Sequence, residues 1–125
     1  MVDRILILAS VRSLREELLL ALRGLGAEVV AVGAWGELEE ELRLRGAVLV
    51  LLLSPLCGEE LAYKVALLRS LSPQLQLFHL WWDDSEQGAV DRLLCGVNQI
   101  YTLPCSVDRL RRRVTSVLQK RRGCA

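Results

Sequence analysis

Three side chains stand where a nucleophile would be looked for, at points where apolar runs break into loops: Ser10, Ser54 and Cys57. A hydroxyl or thiol needs a base within reach and donors for the developing oxyanion. The single histidine, His79, lies inside an apolar run with no acid or cysteine beside it, and a buried, hydrogen-bonded role is expected for it. An enzyme is therefore not expected. Metal chemistry fares no better. The four cysteines, Cys57, Cys95, Cys105 and Cys124, form no Cys-x-x-Cys pair, and structural zinc sites take four cysteine or histidine ligands. A magnesium site needs carboxylates converging at about 2.0–2.1 Å. No Asp or Glu occurs between Asp3 and Glu16 or between Glu41 and Glu59, and the acids nearest the end of an apolar run are Asp83 and Asp84. The turn Leu8-Ala9-Ser10-Val11-Arg12-Ser13 has no glycine to cradle a phosphate. No cofactor and no metal are expected.

The elements that must position these residues alternate between two kinds. Arg4–Ala9, Ala27–Val32, Ala47–Leu53, Leu75–Trp81 and Gln99–Leu103 read as strands, most of them apolar on consecutive residues. Between and after them, Ser13–Arg23, Gly36–Arg45, Glu59–Leu71, Ser85–Leu94 and Ser106–Lys120 read as helices. Leu14, Leu18 and Leu22 mark the inner face of the first, and Leu110, Val114, Val117 and Leu118 that of the last. Ser85 and Ser106 are expected N-caps. Strands apolar on consecutive residues are parallel strands covered by helices on both sides. The expectation is a doubly wound α/β fold, (βα)5, with a five-stranded parallel sheet in a three-layer sandwich. A site in such a fold lies at the carboxyl ends of the strands, where strand order reverses.

At 125 residues, 52% hydrophobic and 25% charged, the chain suits one folded domain, 1–122, followed by a tail of 123–125. A net charge of +1 gives no global case for nucleic acid. The longest apolar run, Ala47 to Leu53, is far short of the roughly 20 residues that span a bilayer. The start, Met1-Val2-Asp3-Arg4, runs straight into a strand pattern without the regions of a secretion signal. A cytoplasmic protein with no membrane contact is expected.

Gly96 to Leu110, GVNQIYTLPCSVDRL, resembles the G-A-D-D-Y-L-T-K-P-F-S-x-D-E-L pattern of the receiver domain of bacterial two-component response regulators, the CheY-like family. Arg4-Ile5-Leu6-Ile7-Leu8 resembles that family's opening R-I-L-I-V. The likeness in element order covers nearly the whole chain and implies a flavodoxin-like receiver fold. By position, the family's magnesium-binding acidic pair falls on Ala9 and Ser10, its phosphorylated aspartate on Leu52, its phosphoryl-binding hydroxyl on Trp81 and its lysine on Leu103. Every reactive group is replaced. The aromatic switch residue falls on Ile100, with Tyr101 beside it. A slip of one residue rescues nothing, because the lysines are Lys64 and Lys120 and neither strand end carries an acid. Phosphoryl transfer needs a nucleophile and an ion to screen charge.

The resemblance thus implies a pseudo-receiver that acts without phosphorylation, as a protein-interaction module in signal transduction or transcription regulation. Its partner would be a protein or output domain, or a second copy, bound through helix four, strand five and helix five. Nucleic acid would be engaged only indirectly. Trp82, Tyr101, Arg109, Arg112 and Arg113 are the candidate partner surface, and Trp35 is a further candidate contact. The same residues have plainer uses: adjacent tryptophans can both pack under helices, and an arginine run can be a solvated helix face. The alternative function is a small-molecule sensor with its ligand at the strand ends.

Overall fold

A computed structural model describes residues 2–82 and 85–123, so the expectations placed on Asp83, Asp84 and Cys124 lie outside the described residues. Ten elements alternate without exception: β1 (Arg4–Ala9), α1 (Arg12–Ala21), β2 (Glu28–Val32), α2 (Trp35–Arg45), β3 (Leu49–Leu53), α3 (Gly58–Leu71), β4 (Gln76–Trp81), α4 (Glu86–Leu94), β5 (Gln99–Thr102) and α5 (Val107–Gly123). All strand pairs are parallel and the order is β2-β1-β3-β4-β5, so the chain reverses direction across the sheet between β1 and β3. The fold is the expected doubly wound (βα)5 sandwich.

The central strands are apolar on consecutive residues because both of their faces are covered. Ile5, Ile7, Leu49, Leu51, Phe78 and Leu80 form one core with α1 and α5, while Leu6, Leu8, Val50, Leu52 and Leu77 form the other with α2 and α3. Register sets Leu8, Leu52, His79 and Ile100 in one row across the sheet, and a second row, Ala9, Leu53, Leu80 and Tyr101, lies one residue nearer the carboxyl edge.

Local chemistry sets the helix ends. The Ser85 hydroxyl accepts from the Gly88 amide at 3.0 Å, and the Ser106 hydroxyl accepts from the Arg109 amide at 3.3 Å. Gly46 closes α2 at φ 71°, a conformation that disfavours any side chain. α1 stops at Ala21, two residues earlier than its leucine spacing predicts, and Leu22 then buries itself in the core beyond the last turn. At the amino edge, buried Arg4 donates to Glu41 at 2.8 Å and to the Gly46 carbonyl at 3.0 Å, tying β1 to α2. No described helix is long and apolar enough to cross a membrane.

Candidate functional site

At the carboxyl edge of the sheet, the described residues at the positions that the resemblance aligns with the family's reactive groups are Ala9, Ser10, Leu52, Trp81 and Leu103. Leu52 and Ala9 are both 0% exposed. Leu53 is buried beside them, Leu103 is half-buried, and Ser10 is exposed on the loop. No group of His, Cys, Asp and Glu able to hold a metal occurs among the described residues. The cation nearest the end of β1 comes from α1: Arg15 Nη1 donates to the carbonyls of Ala9 at 2.7 Å and Ser10 at 3.2 Å. It lies against Gly33, just past β2, where a Cβ would fall 2.7 Å from that nitrogen. The glycine is therefore what lets the guanidinium reach the strand ends.

Trp81 is half-buried and packs with the core beneath α1 and α5, while Trp82 is exposed, and their rings meet edge to face at 4.8 Å. Trp82 overhangs an apolar cavity of about 170 Å³ lined by Leu14, Leu18, Leu53, Leu103 and Pro104. The Leu103–Pro104 peptide is cis. Nucleophile and base do not meet here. Ser54 is buried and its hydroxyl accepts from the Leu56 amide at 3.2 Å, and the exposed Cys57 opens α3.

His79 instead belongs to a buried polar link. Its Nε2 lies 2.8 Å from the Ser54 carbonyl, and its Nδ1 accepts from Arg92 Nε at 2.9 Å. Burial, reinforced by the Arg92 charge and opposed by the Ser54 carbonyl, lowers its pKa to about 4. The imidazole is neutral at pH 7, carries its proton on Nε2 and has both nitrogens engaged, so it has no free nitrogen for base catalysis. Arg92, only 3% exposed, also donates from Nη2 to the carbonyls of His79 at 3.2 Å and Tyr101 at 3.3 Å. One guanidinium from α4 thus binds β4 and β5 together.

Sequence reasoning missed Arg92, and the consequence reaches the surface. Arg92 is the only buried residue of α4, and Val90, Leu93 and Leu94 are turned outward, Leu94 being 80% exposed. At these four positions the usual pattern is reversed, while Glu86, Gln87 and Asp91 face solvent as expected. The signal was present, since an arginine stands directly before the two leucines, but a hydrophobic pattern assigns such a leucine pair to the core.

The candidate partner residues divide. Arg109, Arg112 and Arg113 are exposed along α5, and Trp82 is exposed at the carboxyl edge. Tyr101 corrects the expectation of a surface role: it is 5% exposed, with its ring 5.8 Å from that of Phe78. It faces inward because α5 covers that side of the edge strand, and burial raises the pKa of its phenol. Trp35 is likewise engaged within the chain. It opens α2, packs on the core, donates to Glu39 and carries the Lys64 ammonium 4.2 Å above its ring.

No family model matches the chain, and no curated protein matches it. Its likeness to solved structures is extensive. A CheY-like response-regulator receiver domain protein from Methanospirillum hungatei superposes with a TM-score of 0.81 over 100% of both chains at 19% identity. A response regulator from Thermotoga maritima gives 0.81 at 18% identity, covering 95% of this chain and 99% of the other. A protein named for pilus assembly, CpaE from Burkholderia thailandensis, gives 0.78 at 18% identity, covering 94% and 98%. The chain has the flavodoxin-like fold of receiver domains.

Proposed function

We propose that the chain is a pseudo-receiver that works without phosphorylation and serves as a protein-interaction module in bacterial signal transduction or transcription regulation. Its docking face is formed by α4, β5 and α5, and its partner is a protein, an output domain or a second copy. The observation that carries this reading is the exposed apolar side of α4. Val90, Leu93 and Leu94 form an exposed apolar stripe on a helix whose one buried residue is Arg92, with Glu86 and Asp91 exposed beside them. Apolar side chains grouped on a surface and rimmed by polar ones mark contact sites, and Arg109, Arg112 and Arg113 add exposed cations on α5. Independence from phosphorylation is supported by Ala9 and Leu52, which fill the acid and acceptor positions with buried hydrocarbon.

Two measurements test the reading. Mg²⁺ with beryllofluoride is titrated against tryptophan fluorescence, with Trp81 and Trp82 as reporters. No saturable change is expected, and a Mg²⁺-dependent one overturns phosphorylation independence. Sedimentation over a concentration series then compares the wild type with Leu94→Glu. Self-association that is lost in the variant supports docking through α4, whereas association that survives it places the interface elsewhere.

A second reading rests on the cavity beneath Trp82. Its volume of about 170 Å³ suits a small apolar ligand, because dry apolar cavities of similar size, about 150 Å³, take up benzene. A ligand of that kind would quench Trp82 and raise the melting temperature.

A further inference from the structure

The opposite edge of the sheet carries a larger opening. Beside the C-terminal half of α5, below the starts of β4 and β5, lies a cleft of about 700 Å³. That is within the roughly 300–1,000 Å³ typical of small-molecule sites. Its apolar surface comes mainly from the half-buried Val48 and Val117, with the buried Phe78 behind them, and Gln76 and Gln99 line it with amides. Arg113, Lys120 and Arg121 bring three cationic side chains to it. A second cleft of about 330 Å³, lined by Arg109, Arg112, Arg113 and Ser116, adjoins the first through Arg113 and Ser116. Neither is lined by an aspartate or glutamate among the described residues.

We propose that this cleft binds a small organic phosphate of mononucleotide size, its flat apolar part against Val48 and Val117 and its phosphate toward Arg113, Ser116 and Lys120. Three features select that chemistry. Cations with no interleaved acid favour an anion, and an arginine fork beside a hydroxyl matches phosphate oxygens. Side-chain amides offer donors and acceptors together, as the edge of a heterocyclic base requires. The apolar floor distinguishes the cleft from a merely solvated helix face, which has nothing to place beneath a ring. The Arg113 charge also lies close enough to the Tyr101 phenol to oppose the rise in its pKa. Arg121 is partly committed, lying 3.6 Å from Asp3, and contributes mainly charge. Of the residues named for the docking face only Arg113 lines the cleft, and the α4 stripe of Val90, Leu93 and Leu94 lies outside its lining, so Leu94→Glu separates the two.

The test is calorimetric titration of AMP, ATP and inorganic phosphate into the full chain, its Lys120→Glu and Gln99→Ala variants, and Leu94→Glu as a control on the docking face. Lys120 is exposed, so its replacement leaves the fold intact. The expected result is saturable nucleotide binding, about tenfold or more tighter than inorganic phosphate, weakened at least tenfold by Lys120→Glu and unchanged by Leu94→Glu. Gln99→Ala should weaken AMP and leave inorganic phosphate as it was. The proposal is overturned if no nucleotide binds up to millimolar concentration, or if AMP binds no better than inorganic phosphate. Binding that survives Lys120→Glu also overturns it. So does tighter, sequence-independent binding of a short single-stranded oligonucleotide, which would identify a polyanion surface instead.

Discussion

Arg92 and His79 meet inside the protein, Nε of the guanidinium donating to Nδ1 of the imidazole at 2.9 Å. A buried cation is tolerated because a neutral imidazole and two strand carbonyls accept its protons. Arg92→Ala leaves those acceptors unpaired and should cost about 3 kcal/mol in urea unfolding. Arg92→Lys cannot reproduce the planar fork and should recover less than half of the loss.

The same pair predicts a pH dependence. The folded pKa of His79, about 4, lies below the ordinary 6.5, so between these values the unfolded chain binds more protons. Stability therefore rises with pH across that window. The His79 contribution is fully present above about pH 6.5 and is lost as pH falls toward 4, of order 3 kcal/mol in all. Urea unfolding of His79→Gln over the same range should show a flatter slope than the wild type. Equal slopes would mean that the histidine is not buried neutral.

Restoring the acceptor chemistry should fail. Leu52→Asp puts a carboxylate at a 0% exposed position with no metal group around it. Lost packing and an unpaired buried polar group together should cost about 4 kcal/mol. Acetyl phosphate should leave no acid-stable, hydroxylamine-labile mass increase on whatever folded protein remains.

Arg15 and Gly33 should behave as a coupled pair. Gly33→Ala pushes Arg15 off the carbonyls of Ala9 and Ser10, and Arg15→Ala removes the same bonds. Each is expected to cost about 1 kcal/mol, and the double variant clearly less than the sum. A double-mutant cycle that returned simple additivity would separate the two.

On α4, Leu94→Glu should change unfolding free energy by no more than about 0.5 kcal/mol, because the side chain is already in water. A larger loss would mean that Leu94 packs within the monomer.

The fold was legible because the central strands have one reading. Runs such as Leu49–Leu53 are too short for a helix and too apolar for a half-exposed strand, so parallel pairing between two helical layers is the only burial that fits. The burial of Ala9 and Leu52 was legible for the same reason, since both belong to apolar runs in central strands. What sequence reasoning could not reach were residues whose environment contradicts their type. Arg92 points inward against its hydrophilicity, and it does so through carbonyls of β4 and β5, groups that carry no side-chain signature. Tyr101 looked like surface because edge strands often are, but α5 covers its face and leaves the opposite side of the strand to Ile100. Arg15 is held by the missing side chain of Gly33, which is read from sequence as a turn.

α4 is fastened to the sheet mainly by hydrogen bonds, with Arg92 as its only fully buried side chain. Lifting it away would expose little new hydrocarbon. Such an opening carries almost no heat-capacity change and little urea dependence, unlike the release of α2 or α3, each of which buries leucines. In native-state hydrogen exchange, the α4 amides should therefore open by a local fluctuation that urea barely accelerates, while those of β1 and β3 wait for global unfolding. A helix held this way can shift on the sheet without disturbing the core beneath it.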